Sequence, residues 1–350
     1  MHKHVAVPTG LADPLVGDRP PAMPRWLRTT LILLSVAVFI NYIDRGNLAT
    51  AAALIQADFG LSATRLGFLL TAFFITYVPM QILVGWLADR FGAGRVLLGG
   101  FTLWSVSMSL TGVVHSFALL VVLRLLLGLG ESVFFPATAN ILARNFSESQ
   151  RGFANAVVAT GYTAGPAFGI FFGGLLIAGF GWRTFFVGFG LVSLLWLIPW
   201  LALAHPQLSQ QRATRTGPAP GMRAILRQRS LWGTSAGLFC NNYVWYFTLS
   251  WIPYYLVHER HWSIVQMARI GGCAYLLMVL TVLASGWLSD RWIAAGSSPT
   301  RVRKSLIGAS ALLVAICIVG CALARVDASV VWLMLAPDSP CVASSLGQMA

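Results

Sequence analysis

Charge is scarce in this chain. Asp, Glu, Lys and Arg together make up 10% of its 350 residues, and only 11 residues are acidic. Soluble globular domains carry about a quarter of their residues as charge, so an ordinary water-soluble fold is excluded. Cysteine is sparse as well. Cys240, Cys273, Cys317, Cys321 and Cys341 are odd in number and lack metal-type spacing. Four of them lie in apolar stretches, where a small filler residue accounts for them. Cys317 and Cys321 share a helix face, but that spacing alone does not make a functional pair. No nucleophile–base set, metal cluster or phosphate-binding loop is present, so the sequence offers no enzyme reading and implies no cofactor and no metal.

Apolar residues are abundant: 57% of the chain is hydrophobic and the mean hydropathy is +0.73. Runs near twenty residues follow one another almost from end to end, each able to cross a hydrocarbon core of roughly 30 Å as a helix. Nine spans are expected, at about Thr29–Ile55, Leu66–Ala88, Val96–Val114, Phe117–Ala143, Gly152–Ala178, Arg183–Ala204, Leu231–Val257, Met267–Leu288 and Ser305–Leu323. Residues 1–28 read as a polar tail and not a secretory signal, because the apolar segment behind them is long, charged and followed by many others. The fold class is therefore an all-α polytopic membrane protein.

The net charge of +13 is distributed by side. Lys3, Arg19, Arg25 and Arg28 precede the first span. Arg90, Arg95, Arg144 and Arg151 fall in the even-to-odd loops. Arg212, Arg215, Arg223, Arg227 and Arg229 lie in the central loop, and Arg291, Arg301, Arg303 and Lys304 follow the eighth span. These seventeen cations face one side, against five (Arg65, Arg183, Arg260, Arg269, Arg325) on the other. The positive-inside rule places the N-terminus in the cytoplasm of a plasma (inner) membrane. A nucleic-acid partner is rejected, since no soluble domain exists to carry a basic face.

The box Gly85-Trp86-Leu87-Ala88-Asp89-Arg90 recurs as Gly286-Trp287-Leu288-Ser289-Asp290-Arg291, an offset of 201 residues. A repeat that joins an apolar span to an acid–base pair implies a duplicated bundle. The polar segment 205–230 separates a six-span unit over 29–204 from a second unit over 231–336. In that second unit three spans are followed by a seven-residue apolar stub, Val330–Ala336, about 10 Å of helix. The segment 337–350 is a polar tail. A six-plus-six bundle needs three more spans, so the second half is expected to be partial, with three helices.

Two acids and two arginines lie deep within spans: Asp44 and Arg45 in the first, Arg124 and Glu131 in the fourth. A charge at a helix centre costs roughly 2.5–3.5 kcal/mol on insertion scales, so such residues face a cavity or a partner. Arg45 can clamp a carboxylate through its planar fork, with a Tyr42 hydroxyl nearby. The alternative is a structural salt bridge, Asp44–Arg45 or Arg45–Glu131. Glu131 and Arg124 are seven residues apart, two turns on one face. Burial and a neighbouring arginine act in opposite senses on a carboxylate's proton affinity, which suits Glu131, and secondly Asp44, to proton exchange. Arg124 reads as a structural counter-ion.

Gly161, Gly165, Gly169 and Gly173 recur at four-residue spacing in the fifth span, a pattern that permits close helix approach. Tyr77, Tyr162, Asn242 and Tyr243 are candidate cavity residues, although membrane tyrosines are commonly interfacial or packed. His258-Glu259-Arg260-His261 reads as a solvated turn.

The extended first box, Gly85-Trp-Leu-Ala-Asp89-Arg90-Phe-Gly92-Ala-Gly94-Arg95, resembles the loop signature of the major facilitator superfamily. In that signature Gly85 serves close packing, Asp89 accepts from donors at a neighbouring helix end, and Arg90 and Arg95 face anionic lipid. The resemblance implies a gating role for Gly85, Asp89, Arg90, Gly92 and Arg95, and for Asp290 and Arg291 in the second copy. It also implies the major facilitator fold: a complete six-helix N-terminal bundle and a partial C-terminal one. Asn41-Tyr42-Ile43-Asp44-Arg45-Gly46-Asn47-Leu48, Arg124 to Glu131 with Phe135-Pro136-Ala137, Gly181-Trp182-Arg183, and Asn241-Asn242-Tyr243 with Trp251-Ile-Pro253-Tyr254-Tyr255 are similar to the anion:cation symporters of that superfamily. That likeness implies proton-coupled symport of a small organic anion, such as a sugar acid, by a monomer. Arg45 would hold the carboxylate, and Glu131 and Asp44 would carry protons. The string Gly161-x-x-x-Gly165-Pro166 resembles a motif of proton-coupled drug antiporters and keeps an exporter open. A non-transporting remnant is the third reading.

Overall fold

The computed structural model describes residues 23–204, 208 and 227–323, and among these no strand occurs. Eleven helices carry the fold: α1 Arg25–Phe59, α2 Ala63–Phe91, α3 Ala93–Thr111, α4 Phe117–Glu131, α5 Phe134–Asn145, α6 Glu148–Phe168, α7 Gly174–Phe180, α8 Trp182–Leu194, α9 Arg229–His258, α10 Ile264–Ala294 and α11 Pro299–Leu323. α4 and α5 run on as one rod with a break at Ser132–Val133. α6 and α7 are joined by the π-turn Gly169–Gly173, and α8 continues through Leu197–Pro199 into a second π-turn, Trp200–Ala204. Among the described residues this gives nine rods at the nine expected places. Five are long and apolar enough to cross a membrane by length and composition: Arg25–Phe59, Ala63–Phe91, Phe117–Asn145, Gln150–Phe180 and Trp182–Ala204. The remaining four rods are α3, α9, α10 and α11.

Two of the unit boundaries differ from the sequence reading. α1 begins at Arg25, so residues 25–28 belong to the helix and not to the tail, while residues 1–22 lie outside the described residues. The central loop yields Arg229 and Ser230 to α9, and most of 205–226 lies outside the described residues. So do the stub at 330–336 and the tail at 337–350.

Local chemistry sets the turns. Gly60 closes α1 in the left-handed region, φ 59°, with its N–H on Ala57 O. Ser62 then caps α2 by accepting from Arg65 N, 3.3 Å away. Gly92 of the box has φ 90°, a conformation a side chain would strain, and it turns α2 directly into α3. Ser263 and Gln266 form a reciprocal capping box that starts α10.

Within a membrane, helices associate through close packing and not through exclusion of water. The glycine ladder of α6 shows how. A Cβ at Gly165 would sit 2.9 Å from the carbonyl oxygen of Phe39, and one at Gly169 2.7 Å from that of Ile43. Gly161 and Gly173 abut Ser35 and Asn47 in the same way. The four-residue spacing therefore brings α6 and its π-turn into backbone contact with α1, and packing fully accounts for it. Aromatic residues fill the rest of the first unit. Phe101 and Trp196 stack at 4.2 Å, and Trp196 and Trp200 at 4.9 Å. The two buried indole N–H groups donate to Leu33 O and Gly94 O.

At the end opposite the basic loops, Arg183 ties helix ends together. It pairs with Asp58 at 3.0 Å, donates to Val114 O at 2.6 Å, and stacks on Trp182 at 4.4 Å. The two units meet near this end, through Ala52 and Leu66 with Tyr254, and through Ala167 and Ile170 with Leu249, Leu256 and Met267. Toward the basic end, Leu231–Cys240 of α9 is exposed or half-exposed throughout, and the units diverge.

Candidate functional site

Glu131 reaches the interior because α4 is wedged between two neighbours. Gly128 lies against the backbone of Phe73 and the side chain of Thr76 in α2, and Gly130 against Trp104 in α3, where a Cβ would come within 2.7 Å of the Trp104 backbone nitrogen. Thr76 donates to Leu125 O at 2.7 Å, fixing the pair. α4 then stops at Glu131, where Ser132 turns back to Leu129 O at 2.7 Å. The carboxylate is left at the middle of the rod with its side chain 0% exposed.

Its partner comes from α1. Arg45 donates from Nε and NH2 to Glu131 Oε2 at 3.2 and 3.0 Å, and its own side chain is 6% exposed. The guanidinium lies within an aromatic cage, 4.7 Å from the Tyr42 ring, 4.8 Å from Tyr77, 5.2 Å from Phe73 and 5.7 Å from Tyr246. Each such contact contributes roughly 0.5–2 kcal/mol, more when desolvated. NH1 donates to the Tyr246 hydroxyl, a hydrogen bond that reaches α9 in the second unit. Of the open alternatives, the Arg45–Glu131 bridge is thus the one formed.

Asp44 and Arg124 are also buried, at 3% and 4% exposure. Both Asp44 oxygens and Glu131 Oε1 accept no hydrogen bond from the described residues, and Arg124 Nε donates none to them. Of the two arginines near it, Arg45 is the one hydrogen-bonded to Glu131, while Arg124 shares its chamber. Two helical turns separate residues 124 and 131 by about 10 Å along the axis, and a crossing helix places Arg45 nearer. All four charges line one chamber of about 40 Å³, with Leu48, Leu127, Tyr246 and Leu249.

A second cavity of about 880 Å³ lies between the units, within the usual range for small-molecule sites. Tyr42, Tyr77, Tyr162, Asn242 and Tyr243 all line it, with Thr71, Gln81, Phe135, Trp245 and Tyr246. Tyr243 stands at its edge, 67% exposed. None of the four charged residues lines this cavity. Leu70, Phe74, Tyr246 and Ser250 line both it and the charged chamber.

Tyr246 is the residue that sequence reasoning missed. Its signal is present. The offset of the box, 201 residues, also maps Asn41-Tyr42-Ile43 onto Asn242-Tyr243-Val244, and carrying it further pairs Arg45 with Tyr246. The two side chains in contact are repeat equivalents. Repeat mates meet where the two units face each other across their common axis.

The box itself performs local work in the first unit. Asp89 accepts from Arg144 NH2 and Asn140 Nδ2, each at 2.8 Å, which joins α2 to the end of α5 as expected for a helix-end acceptor. Arg90 lies over Trp86 at 5.3 Å, and Arg291 lies over Trp287 at 4.7 Å, so the repeat is preserved in geometry. Arg95 is exposed at the basic end. Gly85 departs from the expectation: a Cβ there would meet nothing within 4 Å, so close packing is not its role in this conformation. The side chain of Asp290 lies outside the described residues.

Two helical units around a central cavity, with the embedded charges gathered behind an aromatic layer at its side, define an all-α polytopic membrane protein of duplicated design. The chain belongs to the Major Facilitator Superfamily, whose sequence profile matches residues 34–349. It is 31% identical over 269 residues to the hexuronate transporter of Bacillus subtilis (strain 168), covering 74% of this chain and 64% of that one. It is 32% identical over 313 residues to the probable anion transporter 4, chloroplastic, of Oryza sativa subsp. japonica, covering 83% and 53%. The chain thus spans between about half and two thirds of the length of these two relatives, both of which are named as transporters. Its fold is similar, with a TM-score of 0.74 at 20% identity over 95% of this chain and 74% of the other, to the crystal structure of a bacterial homolog of the human lysosomal transporter Spinster in an inward-facing, unoccupied conformation.

Proposed function

We propose that this protein carries a small organic anion, a sugar acid or similar carboxylate, together with protons across the plasma membrane, with its N-terminus in the cytoplasm. The observation that carries the reading is the Arg45–Glu131 pair, buried beside the cavity between the units. A guanidinium there stays charged at any working pH and offers paired N–H donors to a carboxylate. The named relatives, a hexuronate transporter and an anion transporter, support that substrate class.

In this mechanism the anion enters the cavity, takes the NH1–NH2 edge of Arg45 and so draws NH2 away from Glu131. The freed carboxylate of Glu131 then takes a proton, because an unpaired buried charge is costly. Asp44, buried beside it without a hydrogen-bond partner among the described residues, is the second proton carrier. Arg124 balances the charge of the chamber. The units rock about the site, and return of Glu131 to Arg45 expels the anion and the proton on the other side. Tyr42, Tyr77, Tyr162, Asn242 and Tyr243 surround the rest of the anion. The box, at Asp89 and Arg144, stabilises one of the two positions of α2 and α5. The protein acts as a monomer.

The test is uptake into proteoliposomes under an imposed inward proton gradient, with glucuronate and galactonate as probes. Acid-driven uptake that is lost in Arg45→Ala and uncoupled from pH in Glu131→Gln is the expected result. Uptake of either anion that survives Arg45→Ala at the wild-type rate removes the assignment. Movement of substrate outward, against the proton gradient, would instead make the protein an antiporter.

A further inference from the structure

We propose that Tyr246 is a positioning residue that latches Arg45, so that an incoming carboxylate and the Tyr246 hydroxyl compete for one N–H of the guanidinium. This rests on the reading of Arg45 as the anion-binding group.

Three observations converge on Tyr246. Its hydroxyl accepts from Arg45 NH1, while Nε and NH2 of the same guanidinium are held by Glu131. Bidentate capture of a carboxylate needs two parallel N–H donors on one edge. With Glu131 on the Nε–NH2 edge, the NH1–NH2 edge is the one left for an anion, and Tyr246 holds NH1 there. Second, Tyr246 lines both the large cavity and the small charged chamber, so it stands in the layer that an anion must pass to reach Arg45. Its ring is held edge-on against Phe74 at 4.8 Å and against Trp245 at 4.9 Å. Third, Tyr246 belongs to α9, whereas the other residues that cage the guanidinium (Tyr42, Phe73 and Tyr77) belong to the first unit. The hydrogen bond therefore crosses between the units, amid apolar contacts.

A carboxylate is the stronger acceptor. Against the same guanidinium N–H, a carboxylate adds the attraction of a full opposite charge that the neutral phenol lacks, so an arriving anion displaces the phenol from NH1 and not the reverse. Filling the site and releasing α9 from α1 then become one event. The phenol keeps the buried guanidinium satisfied in the empty site, at a small cost in affinity for the anion.

The experiment uses the full chain in nanodiscs and compares wild type, Tyr246→Phe, Tyr255→Phe and Arg45→Lys. Glucuronate affinity is read by calorimetry. In the absence of any ligand, the rate at which phenylglyoxal modifies Arg45 is read by peptide mass spectrometry. Phenylalanine keeps the ring and its packing and removes only the competing acceptor. Tyr246→Phe is expected to tighten glucuronate binding by about tenfold or more, the worth of one hydrogen bond to a charged group, and to speed Arg45 modification by a similar factor. Tyr255→Phe, on the same helix as Tyr246 but lining neither cavity, should change neither. Weaker glucuronate binding in Tyr246→Phe makes the hydroxyl a substrate ligand and overturns the latch, as does an Arg45 reactivity equal to wild type. If wild type binds no glucuronate, the modification rate decides alone. Arg45→Lys that binds glucuronate like wild type overturns the anion-site reading instead, a result the ligand-free measurement does not share.

Discussion

Between Arg25 and Ala204 the helices touch backbone to backbone: Gly128 on Phe73, Gly130 on Trp104, Gly165 on Phe39, Gly190 on Ser105 and Ser109. In the second unit, a Cβ added at Gly233, Gly237 or Gly308 would meet nothing within 4 Å, and Trp232, Phe239, Tyr243 and Leu280 stand exposed. Where the second unit does pack closely, at Gly271 and Gly272, the neighbours are Ile170 and Phe171 of the first. The lesson is one of dependence. The first unit supplies its own core, its own buried ion pair and the platform on which α9 and α10 rest. The second contributes one wall of the cavity and, at Tyr246, one polar contact to the site.

Four substitutions break or sharpen this contrast, taken from the largest expected effect to the smallest. Arg45→Ala leaves Glu131 buried without its partner and should cost about 3–5 kcal/mol, read as a fall in thermal midpoint. The double variant Arg45→Met/Glu131→Leu should recover most of that loss while remaining inactive, and no recovery would mean that the pair is held for stability. Gly128→Ala forces a methyl group into the Phe73 backbone and should cost about 1–3 kcal/mol, whereas Gly237→Ala, facing open space, should be neutral or slightly stabilising. Equal midpoints for these two variants would erase the difference between the units.

Arg183→Ala removes a partly exposed clamp on three helix ends and should lower stability by about 1–2 kcal/mol. Arg260→Ala, at the same end of the second unit, loses only contacts to Tyr255 in its own turn and should lower it by less than about 0.5 kcal/mol. A larger loss for Arg260 would show that the second unit has a staple of its own. Smallest is the box. Asp89 and Arg144 are half-exposed, so Asp89→Ala should cost about 0–1 kcal/mol and weaken further at high salt. If it cost several kcal/mol, the bond would be buried in some other state of the molecule.

The rods were legible in the sequence because hydrophobic length is a direct requirement of the membrane, and all nine described rods coincide with apolar runs. The embedded charges were legible for the same reason: a charge such as Glu131 inside an apolar span must have a purpose or a partner. The choice of partner was not legible. Arg124 is closer to Glu131 along the chain, yet Arg45 is closer in space, because Gly128 and Gly130 let α4 sink between its neighbours until Glu131 faces α1. Gly85 misled in the opposite direction. Its place in a packing motif suggested a close neighbour, and the surrounding space is open. Tyr246 was concealed by its type, since one tyrosine in an aromatic helix looks like any other until the repeat offset sets it against Arg45.

Composition and periodicity by themselves determined that this chain is a bundle of membrane helices, in two related units, with a handful of charges placed where lipid forbids them. Those conclusions follow from the solvent, which penalises polarity residue by residue and so writes its constraint into the sequence. Tertiary structure alone decided that Arg45 is bound by Glu131 and Tyr246, that Asp44 and Arg124 share their chamber, and that an aromatic layer separates all four charges from the cavity. Those are matters of which helix faces cross and at what depth, and crossings are fixed by glycines and side-chain shapes acting between helices distant in the chain.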